Sequence, residues 1–162
     1  MVSDNAIRSF LGTYGALRRV LRRLGLPRPR FTRVETLILS AVVTELPEAD
    51  RKAMSVQLNH VDLIQRTRNR RLAVSAIFLD KIPELPLLSL LGSSFRVAMV
   101  SVAEGKSLVR ATVLSHRGRV ASIDFKGALD ELGDSPKVVS VELGKGFDTG
   151  VLIDREEHGE NA

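Results

Sequence analysis

Arg66-Thr67-Arg68-Asn69-Arg70-Arg71-Leu72-Ala73-Val74-Ser75-Ala76-Ile77-Phe78-Leu79 is the stretch across which the spacing of apolar residues changes. Upstream of it they recur at three- and four-residue intervals, the repeat of one helix face. Downstream they recur at every second position or fill the run, as in strands. Leu72 to Leu79 is apolar at nearly every position, which suits a strand covered on both faces. The fold class follows from this change of period: helices first, antiparallel strands second, an α+β arrangement in which the helices cover a sheet face.

On the upstream side, Ile7, Phe10, Leu11, Tyr14, Leu17, Leu21 and Leu24 form one helical stripe. Ser3 or Asp4 caps its start, and Gly25, Pro27 and Pro29 end it, since proline donates no backbone hydrogen bond. Thr32-Arg33-Val34-Glu35 fits a capping box and predicts a second helix with Val34, Leu37, Ile38, Ala41, Val42 and Leu46 inward. Pro47-Glu48-Ala49-Asp50 predicts a third, with proline at the first helical position. This helix is expected to run to about Arg66, burying Met54, Leu58, Val61 and either Ile64 or Gln65.

On the downstream side, Lys81 to Ser94 is punctuated by Pro83, Pro86, Gly92 and Ser93. It is nevertheless too rich in leucine for a solvated linker, so it is expected to pack, as a short helical turn. Phe95 to Ala103, Ser107 to His116 and Arg119 to Phe125, joined by Ala103-Glu104-Gly105-Lys106 and Arg117-Gly118, predict a three-strand meander. A short helix within Lys126 to Gly133, a last strand at Val138 to Leu143 and a bend at Gly144-Lys145-Gly146 complete the reading. The expected architecture is two or three N-terminal helices packed on one face of an antiparallel sheet of four or five strands. One domain is expected over residues 1–147, with a basic helix and Pro/Arg linker in 1–30 and an acidic tail in 148–162.

Composition narrows the chemistry. At 162 residues with 44% hydrophobic and 27% charged residues, the chain has the balance of a single folded domain. The absence of cysteine removes disulfides, thiolate nucleophiles and cysteine-held metal sites, and is compatible with a cytoplasmic location. No apolar run reaches the roughly 18 residues of a membrane span, and the acidic and polar start followed by arginines argues against a secretory signal. His60, His116 and His158 are dispersed and lack metal-ligand spacing. No nucleophile elbow or phosphate loop is present, and Gly92-Ser93-Ser94 reads as turn chemistry. Asp80, Glu84, Glu104 and Asp124 have the settings of solvated carboxylates, although sequence leaves open their convergence into an enzyme site. No catalytic residue, cofactor or metal is assigned.

Charge is distributed unevenly. Met1 to Arg33 holds eight Arg against one Asp, net +7, whereas Lys126 to Ala162 holds four Lys or Arg against nine Asp or Glu, net −5. Arginine pairs well with phosphates and carboxylates, so the two arginine groups mark a candidate binding surface at Arg18, Arg22, Arg23, Arg66, Arg68 and Arg70. It allows a nucleic acid, an anionic membrane surface touched by the first helix, or the acidic end of the same chain. With six Phe, one Tyr and no Trp there is little to stack bases on.

Val34-Glu35-Thr36-Leu37, Leu46-Pro47 and Gln57-Leu58, then a basic turn and a strand, then His116-Arg117-Gly118-Arg119-Val120 with Ser122-Ile123-Asp124-Phe125, resemble a pattern among small bacterial α+β proteins. Some of these are similar to immunity proteins of toxin systems. The resemblance covers Thr32 to Leu143 and implies that the partner is another protein, with toxin neutralisation as one form of binding. Strong fold signals together with the lack of an active-site motif point the same way, to a non-enzymatic intracellular protein-binding module. A polyanion-binding module is the alternative reading, and an enzyme with a dispersed site the third.

Overall fold

Thr32 is extended, and its side chain accepts a hydrogen bond from Glu35 N (3.2 Å) while Glu35 Oε2 accepts one from Thr32 N (2.7 Å). This reciprocal pair fixes the start of α1 (Arg33–Glu45), at the capping box read from the sequence. The structure, a computed structural model, describes residues 30–68, 72–79, 84–89, 94–127 and 129–145. The predicted first helix and the acidic tail lie outside these residues. The chain divides into Met1–Arg30 and Phe31–Ala162, and the described helices and strands all belong to the second unit.

Pro47 caps α2 (Glu48–Asn59), one position earlier than expected. Arg51 ties the two helices together, its Nη2 donating to Thr44 O (3.0 Å) and Leu46 O (3.1 Å), carbonyls at the end of α1. The expected helix up to Arg66 is corrected: α2 stops at Asn59, and β1 (Val61–Arg68) follows. The remaining strands are β2 (Leu72–Leu79), β3 (Phe95–Glu104), β4 (Ser107–His116), β5 (Arg119–Lys126) and β6 (Lys137–Leu143), with a 3-10 turn at Leu129–Glu131. Six strands therefore replace the expected four or five, the added one being β1, which pairs with β2.

The sheet is antiparallel throughout, in the order β1-β2-β5-β4-β3-β6. The meander β3-β4-β5 is as the turn signals predict. Gly105 (φ 59) opens one hairpin loop. Arg117 (φ 51) and Gly118 (φ 72) form the other, where both central residues need positive φ to match the strand twist. From β5 the chain passes the β3–β4 turn, where Ser135 N donates to Glu104 Oε1 (2.8 Å), and β6 then joins the far side of β3.

Two buried residues three apart cannot share a face of a regular strand, so an extra residue must intervene. Val61 and Ile64, Val120 and Ile123, and the inward Val138 and Val141 are such pairs; the ladder skips Asp62, Ala121 and Val139 at those points. A further irregularity in β3 lets adjacent Val97 and Ala98 both be buried. The resulting helix-side face comprises Ile64, Ile77, Ile123, Phe125, Val113, Ala111, Val109, Val100 and Val102. It packs under Ile38, Leu39 and Val42 of α1, with Leu46, and under Ala53 and Met54 of α2.

Gly144, just past β6, donates its N–H to Val97 O (2.8 Å), and a Cβ there would lie 1.8 Å from Arg96 O. Only glycine permits that approach. Gly144→Ala is expected to lower stability by about 2 kcal/mol, within the usual range for overpacking; an unchanged denaturant midpoint would show that β6 yields without cost.

Candidate functional site

A polar side chain inside this core is retained only if its partners are inside too. Glu35, 2% exposed, receives Arg66 Nε (2.9 Å) on Oε1 and Arg66 Nη2 (2.6 Å) on Oε2, with Ser75 Oγ (2.5 Å) also on Oε1. Together with the Thr32 amide this is a bidentate ion pair and two further hydrogen bonds, joining the start of α1 to β1 and β2. Burial alone pushes the Glu35 carboxyl up; the bonds from Arg66, Ser75 and Thr32 together outweigh it and leave the pKa below the ordinary 4.5.

Gln57 of α2, fully buried, donates from Nε2 to Pro86 O (2.7 Å) and Gly118 O (2.9 Å), and accepts from Val120 N (2.8 Å) on Oε1. Gly118 O also accepts from Leu88 N (2.8 Å). Asp50 holds the same segment, accepting from Ser89 N (2.6 Å) and Ser89 Oγ (2.9 Å). The described part of the Lys81 to Ser94 segment, residues 84–89, is thus pinned to α2 and to the β4–β5 turn, with Leu85 and Leu88 buried. It packs as expected, and residues 84–89 themselves form no helix; Pro86 O and Ser89 N are met by side chains and Leu88 N by Gly118 O.

These buried groups are occupied in holding the fold. Among the carboxylates singled out from sequence, Glu104 accepts from Ser135 N on Oε1 while its buried Oε2 has no hydrogen-bond partner among the described residues, and Asp124 accepts from Ser122 Oγ (2.8 Å); Asp80 lies outside the described residues. Ser94 Oγ lies 3.1 Å from His116 Nδ1, but both residues are exposed, without the desolvated setting of an activated nucleophile. No group of three or more His, Cys, Asp or Glu side chains suited to a metal occurs among the described residues. None of the described helices is long and apolar enough to cross a membrane.

The arginines chosen from sequence fall in different places. Arg18, Arg22, Arg23 and Arg70 lie outside the described residues; Arg68 pairs through its backbone with Ala73. Arg66 is the one whose side chain is placed, and its guanidinium grips Glu35 while remaining 42% exposed. That contact also raises its pKa.

The surface that sequence reading did not single out is the sheet face away from the helices. Leu63, Val74, Ala76, Met99 and Leu114 alternate with the helix-side residues in the strand registers and are absent from the helix-side core. Thr112, Ser122 and Asp124 are interleaved with them, and the exposed Leu108, Arg110 and Lys126 lie toward one end. Arg110 stands opposite Lys126 because the ladder skips Ala121; the register leading out of the turn (His116 opposite Arg119) would otherwise place Phe125 there.

No protein family, curated protein or solved structure matches the chain.

Because Glu35 has a depressed pKa in the folded state, its contribution to stability is fully present above the unfolded value near 4.5 and is lost as the pH falls below it. Denaturant midpoints should therefore drop more steeply in that acid window for the wild type than for Glu35→Gln. Arg66→Met should cost about 2 kcal/mol at neutral pH by leaving a buried carboxylate underpartnered; a loss within a few tenths would show that Ser75 and Thr32 suffice. Gln57→Met, of similar shape, should cost about 3 kcal/mol by stranding Val120 N–H and Pro86 C=O; chemical denaturation tests it.

Proposed function

We propose that the chain is a non-enzymatic intracellular protein-binding module whose partner docks on the sheet face opposite the helices, toxin neutralisation being one form of such binding. The observation that carries this reading is the make-up of that face. Half-buried Val74, Ala76, Met99 and Leu114 are interleaved with hydroxyl-bearing Thr112 and Ser122 on neighbouring strands. Apolar area for desolvation, Met99 included, lies beside side chains able to hydrogen-bond, as a protein–protein contact needs. An antiparallel sheet with the described helices on the opposite face supplies a rigid platform for it.

Binding of a nucleic acid is the second reading, favoured by the net charge of +5 and pI of about 10.1. The scarcity of aromatic residues weighs against it for single strands.

Tagged full-length chain used for affinity capture from its native host, followed by size-exclusion chromatography, is expected to recover a protein that co-elutes in a fixed ratio. Thr112→Arg, which sets a bulky charge in the middle of the face, should release that protein while the circular dichroism spectrum is kept. Recovery of nucleic acid alone, in amounts falling steeply with salt, would replace this reading with the second one.

A further inference from the structure

Two cations stand directly opposite each other on the open face, since Arg110 of β4 is the ladder partner of Lys126 of β5. Like charges in directly opposed positions repel and weaken a sheet, so an arrangement with nothing between them works against the fold. Their row continues through Ser101, the ladder partner of Arg110, to Ser140, the partner of Ser101. The adjacent row runs Leu108, Ala103, Lys137. Arg110, Lys126, Lys137, Ser140 and Leu108 are exposed, Leu108 by 52%.

None of the three cations forms an ion pair with a described residue. The carboxylates on the same face are otherwise engaged: Asp124 accepts from Ser122, and Glu142 lies 3.6 Å from Arg96. The result is an exposed leucine bordered by three cations without an ion pair among the described residues and by two hydroxyls. Neighbouring strands are about 4.8 Å apart, so the four-strand row spans about 14 Å, the reach of a short extended peptide.

From this juxtaposition we infer that the Leu108, Arg110, Lys126 and Lys137 patch receives an acidic protein segment, with carboxylates set on the cations and an apolar side chain against Leu108. A peptide is favoured over a nucleic acid because the patch has an aliphatic centre and no aromatic ring for stacking. The inference rests on the protein-binding reading and names the chemistry of the partner at that same face.

The test uses full-length protein and a labelled peptide in which one leucine is flanked by glutamates, followed by fluorescence anisotropy. Binding is expected, weakening with ionic strength, and falling about tenfold in the triple variant Arg110→Gln, Lys126→Gln, Lys137→Gln, as three exposed charge pairs of ordinary strength allow. A peptide with glutamine for glutamate should bind no better to wild type than to that variant. The variant's melting temperature should hold or rise, because a repulsive pair has been removed; a fall would make these residues structural. Absence of peptide binding, equal binding to the triple variant, or displacement of the peptide by oligothymidine at equal charge overturns the inference. If the protein partner captured from the host is released by Thr112→Arg but kept by the triple variant, the binding face stands and its acidic complement does not.

Discussion

A carboxylate taken out of water must be met by donors on every side, and Glu35 imposes that demand on three parts of the chain at once. Its own helix start supplies the Thr32 amide, β1 supplies Arg66 and β2 supplies Ser75. Arg66 has to point toward the helices, so β1 must be a strand in one register. A slip of one residue would turn the arginine to the other face and leave the carboxylate without its pairing to Arg66. One buried charge thus specifies where α1 begins, which way β1 faces and how β1 lies on β2.

Gln57 and Asp50 extend the same logic to irregular backbone. A loop lying against a core carries amides and carbonyls that no ladder satisfies. Here an amide side chain with two donors and an acceptor takes Pro86, Gly118 and Val120, and a carboxylate takes Ser89. Leu85 and Leu88 can be buried because α2 provides for the polar atoms between and beside them.

The parts of the fold legible in sequence were those where local chemistry acts alone. The capping box at Thr32 and the two short hairpin turns involve neighbours in the chain, and the structure has them there; the change to strand spacing comes earlier than read, at Val61. The strand Val61–Arg68 was missed because its inward position 66 carries an arginine where alternation calls for an apolar residue; its partner, Glu35, is 31 residues away. Helical spacing of Leu58, Val61 and Ile64 then gave a plausible but wrong continuation, although Asn59 and the β-branched residues after it were available as a stop signal. The opposed Arg110 and Lys126 were illegible for a related reason. Counting back from the Arg117-Gly118 turn pairs Arg110 with Phe125, and only the skipped Ala121 brings Lys126 across. Arg66 was readable as a charged residue; its commitment to Glu35 was not.

Both outer strands are irregular. β1 has its skipped residue at Asp62 and β6 at Val139, and β6 opens with a lysine after Pro136. Each interruption breaks the even row of outward amides and carbonyls that another strand would need as a template. Each outer strand is therefore a shorter template than its length suggests. Among the described strands, the regular margin left to another strand is thereby shortened to Leu63–Arg68 on β1 and Ser140–Leu143 on β6.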